Sequence, residues 1–142
     1  MKKITVTSRN ILKSKGLRVT ASRVAILDTL LHAPGPLSIR GVLAGLTATT
    51  DQATVYRTLE SLENCGAVRQ VNLRHGHAHY EVASDDHHHV VCRNCGAVEN
   101  FQECGIAAVR RKVLKQTKSF ARIDEHALEF FGLCMRCSKK HA

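Results

Sequence analysis

Apolar positions recur at helical spacing up to Gly66 and at alternate positions beyond it. The basic segment 8–16 reads as a short helix closed by Gly16. Thr20 caps a second helix in which Val24, Leu27 and Leu31 share a stripe, and Pro34 and Pro36 stop it. Ser38 caps a third, with Ile39, Val42, Leu43 and Leu46 as its apolar side. After a turn at 47–50 a fourth helix runs from near Asp51 to Gly66, and its stripe is Val55, Leu59 and Leu62. A short turn before the last helix makes this a helix-turn-helix pattern. Segments 67–73 and 78–83 then alternate as strands joined around Gly76, the hairpin of a winged helix. At Ser84 the composition shifts to Ser-Asp-Asp-His-His-His, which sets a domain boundary between 1–83 and 84–142. The remainder reads as strand 88–92, a tight cysteine turn, strand 97–101, a basic amphipathic helix over 105–117 and strand 127–132. The expected fold class is α+β, a winged helix-turn-helix followed by a small α/β domain.

The outward side of the fourth helix carries Thr54, Arg57 and Ser61, with Tyr56 on the flank, residue types that meet phosphates and base edges in a major groove. The same pattern also fits an ordinary solvated face, so charge enters the picture. The 142 residues hold 21 Lys and Arg against 12 Asp and Glu, a formal net charge of +9. That excess points to a polyanion, nucleic acid first. No window reaches the roughly 18 apolar residues of a membrane span. Met1-Lys-Lys runs into a polar stretch rather than the apolar core of a secretory signal. A soluble, cytoplasmic protein is expected, with no membrane partner and no small organic substrate.

The paired cysteines among the six are therefore expected to bind metal rather than form disulfides. Cys92-Arg-Asn-Cys95 and Cys134-Met-Arg-Cys137 are two Cys-x-x-Cys knuckles, and four thiolates in two such pairs make a closed structural zinc site with no open position for catalysis. Asn-Cys-Gly-Ala-Val occurs at 64–68 and again at 94–98, but Leu62 stands where a second ligand to Cys65 would be needed. Cys65 reads as a small buried thiol at a helix end. Histidines crowd the chain at 75, 77, 79, 87, 88 and 89. Strand parity puts His77, His79 and Glu81 on one face, His87 and His89 on one face, and Asp86 and His88 on the opposite one. Imidazoles two residues apart with a carboxylate nearby suit Zn(II), Fe(II), Ni(II) or Mn(II). No catalytic triad, carboxylate pair or phosphate loop is recognisable, so no enzyme is expected.

At these residues the chain resembles the ferric uptake regulator (Fur) superfamily of bacterial metal-dependent repressors. The marks are Leu17-Arg-Val-Thr20, Ala53-Thr-Val-Tyr-Arg-Thr-Leu59, Tyr80-Glu81, His87-His-His-Val-Val-Cys92-Arg-Asn-Cys95-Gly and His126-Ala-Leu-Glu-Phe-Phe-Gly-Leu-Cys134, in family order. The resemblance implies a homodimer with an N-terminal winged helix on double-stranded DNA and a C-terminal dimerisation and metal-sensing domain. It places Tyr56 and Arg57 on the recognition helix and Lys15 and Arg18 against the DNA backbone or minor groove. Glu81, His87 and His89, with His79 beside them, fall on the regulatory hinge site. His88 and His126 fall on a second site, to which Asp86 and Cys104 can add donors. The chain departs from the family pattern at Asn100 and Ala107, where carboxylates are usual, and His32, His77 and Glu103 are further potential ligands. The implied function is a repressor binding palindromic operators as a metal-loaded dimer, with structural Zn(II) and regulatory Zn(II) or Fe(II), Mn(II) or Ni(II) also being possible. Iron, zinc and peroxide sensing remain open, the imidazole-rich hinge leaning to zinc. A metal store or chaperone and a thiol oxidoreductase are the alternatives from other classes.

Overall fold

A computed structural model describes residues 6–47, 49–84, 87–102 and 105–140. The chain divides into two compact units, residues 1–84 and 85–142. The first contains α1 (Ser8–Ser14), α2 (Ala21–His32), β1 (Leu37–Ser38), α3 (Ile39–Gly45), α4 (Gln52–Asn64), β2 (Val68–Val71) and β3 (His79–Val82). Each helix start is set by one side-chain oxygen accepting from the N–H three residues on. Thr7 takes that of Asn10, Thr20 that of Arg23, Ser38 that of Gly41 and Asp51 that of Thr54. The donors of a first turn otherwise lack partners, and a threonine or serine cap is worth about 1 kcal/mol. The ends of α1 and α4 are closed by glycines at positive φ, Gly16 and Gly66. Leu17 N–H donates to Leu12 O and Ala67 N–H to Leu62 O, both at 2.9 Å, the paired closure that only a left-handed residue allows.

The helices pack Leu12, Ile26, Leu27, Leu30, Ile39, Val42, Val55, Leu59 and Leu62 into one core, which Ala67, Val68 and Tyr80 of the hairpin complete. On α2 the buried stripe is Ile26, Leu27 and Leu30, while Val24 is only partly buried against it, a rotation from the expected stripe. Strands β2 and β3 pair antiparallel, with Arg69 opposite Glu81. The two-residue β1, which periodicity cannot reveal at that length, adds to the other edge of β3 and gives the order β1-β3-β2.

The second unit contains β4 (His88–Cys92), β5 (Val98–Phe101), α5 (Ile106–Gln116), β6 (Glu129–Gly132) and α6 (Met135–Lys140). Its sheet has β4 in the centre, antiparallel to β5 and parallel to β6. Pairing of Cys92 with Gly132 sets the first knuckle beside the chain that leads into the second. No residue of α5 is buried, and its apolar Val109 and Val113 are exposed, as are Val90 and Phe130, which face each other across β4 and β6.

Candidate metal centres and DNA-facing surface

Local chain geometry builds the four-cysteine cluster. Gly96 at φ +74 turns the first knuckle, with Gly96 N–H donating to Cys92 O at 2.9 Å and Cys92 N–H to Ala97 O at 2.8 Å. The second knuckle starts α6, where Ser138 N–H donates to Cys134 O at 2.8 Å. The sulfurs of Cys92, Cys95, Cys134 and Cys137 all lie within 4.8 Å of one another. The Cys95 and Cys134 sulfurs are 3.7 Å apart, and a tetrahedron of 2.3 Å Zn–S bonds has an edge of about 3.8 Å. The donor set therefore fits zinc. Outer donors orient it, among them Cys134 N–H to Cys92 Sγ at 3.3 Å and the Asn94 side-chain amide to Cys137 Sγ at 3.2 Å. The backbone N–H of Cys134, then that of Cys95, holds the Cys92 thiol down to about 6, which favours the thiolate form that a metal needs. For Cys137 the Asn94 amide pulls downward, but burial and hydrogen bonding among the other thiols outweigh it and push the group up to about 11. Cys65 stands apart in the first unit, donating to Leu62 O at 3.3 Å.

The histidines of β4, with His87 just before it, separate by face. His87 and His89 set their rings edge to face at 5.1 Å between centroids. His88 points the other way, 4.9 Å from the ring of His126 and 5.4 Å from Phe101. Here an unanticipated residue enters. Arg110 on α5 donates from Nη2 to His126 Nδ1 at 2.9 Å, and also reaches Asp124 O at 3.4 Å. The Nε2 atoms of His126 and His88 are 3.4 Å apart. That spacing alone would suit two ligands of one ion, whose N–N edge is about 3.3 Å. A guanidinium only donates, so in this arrangement His126 Nδ1 is the acceptor of the Arg110 bond and is not free for a metal while that bond holds. No spacing rule connects Arg110 to His126, so sequence reading had no signal for this contact. Asp86 and Cys104, expected near this site, and Glu103 lie outside the described residues.

In the first unit Glu81 is buried on β3, and Arg69 Nε donates to its Oε1 at 2.6 Å across the β2–β3 pair. The partner follows from the strand register, which the sequence does not state. His79 is buried too, but its ring packs with those of His75 and His77. Burial, then the nearby His77 and His75, lower its pKa and favour the neutral imidazole. His32 on α2 makes a 2.8 Å contact from Nδ1 to Asp28 O. Asn100, where the resemblance leads one to expect a carboxylate, sits opposite His89 on β5.

On α4, Tyr56 and Arg57 are exposed, as are Lys15 and Arg18 on the segment after α1. Thr54 is half-buried, and its hydroxyl donates to Asp51 Oδ2 at 2.6 Å. It thus helps cap the helix.

The ferric uptake regulator family model matches residues 14–131. The ferric uptake regulation protein of Neisseria meningitidis is 37% identical over 134 residues, 91% of this chain and 92% of that protein. The peroxide operon regulator of Bacillus subtilis is 31% identical over 132 residues, 91% of this chain and 90% of that protein. Among solved structures, the Pseudomonas aeruginosa ferric uptake regulator with manganese superposes with a TM-score of 0.73 at 29% identity, covering 92% of this chain and 99% of that one. The Vibrio cholerae ferric uptake regulator gives 0.72 at 27% identity, covering 89% and 98%.

Proposed function

The chain belongs to the ferric uptake regulator family, and from that premise we propose that it is a metal-responsive transcriptional repressor, not an enzyme, acting in the cytoplasm as a homodimer on palindromic DNA. No helix among the described residues is long and apolar enough to cross a membrane. Residues 1–83 are assigned to DNA binding and 84–142 to dimerisation and sensing. Cys92, Cys95, Cys134 and Cys137 hold a structural zinc, whose binding supplies folding free energy to a unit with a small core. The exposed Val90, Phe130, Val109 and Val113 are assigned to the contact with the second copy.

Glu81, His87 and His89 are assigned to the regulatory ion. The observation that carries this reading is that successive histidines at the start of β4 turn to opposite sides, His89 toward His87 and His88 toward His126. An ion shared by a carboxylate of the first unit and imidazoles of the second ties the units together. That raises the fraction of dimers whose recognition helices match successive major grooves, about 34 Å apart. With Asn100 lacking a carboxylate, the set leans to Zn(II), and Fe(II) is the competitor. On α4, Tyr56 and Arg57 read the groove, while Lys15 and Arg18 meet phosphates. Arg110 takes the place of a cation in the second site, which we read as metal-free. His87→Ala or His89→Ala should abolish metal-stimulated operator binding while the four-cysteine zinc stays in place. Should His88→Ala prove more damaging than either, the assignment fails.

A further inference from the structure

The hairpin tip between β2 and β3 carries chemistry that neither the thiol cluster nor the recognition helix uses. It reads Asn72-Leu-Arg-His75-Gly-His77-Ala-His79. Asn72 Oδ1 accepts from Arg74 N–H at 3.0 Å, and Arg74 at φ +57 and Gly76 at φ +81 curl the chain. Residues four apart on a flat strand are about 13 Å apart. The curl instead brings the rings of His75 and His79 to 5.1 Å between centroids. His77 lies 4.7 Å from His79 and 6.3 Å from His75, so the three imidazoles form a triangle. One corner is held rigidly: His79 is 7% exposed. Its Nδ1 is buried and makes no hydrogen bond, an arrangement that is costly unless something occupies that nitrogen. His75 and His77 are exposed, and their side chains can change rotamer freely.

We propose that His75, His77 and His79 form a further metal site on the hairpin of the first unit, taking a borderline divalent cation such as Zn(II), Ni(II) or Co(II). Three neutral imidazoles with water in the remaining position are a donor set such cations accept. Bonds of about 2.0–2.1 Å require the ring nitrogens to converge to about 3.3 Å. The rings are not yet that close, and rotation of the two exposed side chains toward the fixed His79 supplies the convergence. The site would also bear on DNA. His77 lines a cleft of about 300 Å³ together with Arg40 of α3 and Tyr56 of α4. A cation held there adds positive charge beside the surface assigned to DNA, strengthening attraction for phosphates. This last step rests on the DNA-binding reading; the metal site itself does not.

The test uses full-length protein that keeps its structural zinc and carries His87→Ala/His89→Ala, so that the regulatory set is gone. Titrated with Co(II), it should take up one ion with a visible band free of thiolate charge transfer. Adding His75→Ala/His77→Ala should abolish that uptake and leave the melting temperature unchanged. Equal uptake in both proteins, or none in the first, overturns the site. With Co(II) bound, the first protein should also bind a non-specific DNA duplex more tightly, with a steeper salt dependence than the second. Uptake without that gain keeps the site and removes its link to DNA.

Discussion

Replacing Arg110 with methionine keeps the aliphatic stem and deletes the guanidinium. Two terms then oppose each other. The Nη2 bond to His126 Nδ1, 2.9 Å long and carried by a charged donor, is worth about 1.5–3 kcal/mol. Against it, Arg110 Nε is buried without a hydrogen-bond partner, which costs about 1–3 kcal/mol that the substitution relieves. The expected net change lies between about 1.5 kcal/mol of gain and about 2 kcal/mol of loss, so the second unit stays folded. The larger effect is on a proton. In the wild type His126 should be protonated at Nε2 and bare at Nδ1, because the guanidinium cannot accept. Long-range ¹H–¹⁵N correlations of the imidazole rings, recorded on zinc-loaded protein, read this directly. Arg110→Met should release the bias. In the wild type, His88→Ala and His126→Ala should each leave metal stoichiometry unchanged. A wild-type His126 protonated at Nδ1, or the loss of one metal equivalent in either alanine variant, would refute the reasoning.

Cys134→Ser should lose the structural zinc and destabilise the second unit, while the first, with its own core, keeps its melting transition; calorimetry resolves the two. A stable dimer without zinc would contradict the assignment. Asp51→Ala should lower the urea midpoint of the first unit at pH 7. The Thr54 hydroxyl, then the Thr54 N–H, hold the Asp51 carboxyl below its ordinary 3.8, so its contribution is present above that value and is lost as pH falls through the lowered pKa. The gap between wild type and variant should therefore close in acid, and a gap independent of pH would argue against the cap. Gly45→Ala should destabilise the first unit by about 1–3 kcal/mol, because a Cβ there would meet Thr29 Cγ2 at 2.5 Å. Thr29 cannot rotate away without losing its 2.8 Å bond to Ala25 O. A Thr29→Ala background should remove most of that cost in urea titrations.

What the sequence determined by itself is the part of this protein governed by neighbours a few residues apart. Thr20, Ser38 and Asp51 start helices because a cap acts on the N–H three residues on. Gly16 and Gly66 end them because those turns need positive φ. The alternation of a strand likewise separates His87 and His89 from His88 before any coordinate is known. Two Cys-x-x-Cys pairs announce a four-sulfur cluster through spacing alone, and the family marks run in order along the chain.

Only the tertiary structure decided the rest. The stripe of α2 rotates to Ile26, Leu27 and Leu30 because packing, and not the helix's own periodicity, selects the buried face. β1 exists because β3 has a free edge for two residues to join, and α6 begins where the second knuckle turns, neither with a periodic signal of its own. Arg69 meets Glu81 through strand register, Arg110 meets His126 across sixteen residues of chain, and His75 returns to His79 through a curl set by two positive φ angles. Each of these contacts depends on where separate segments lie in space, which no local spacing of residues encodes.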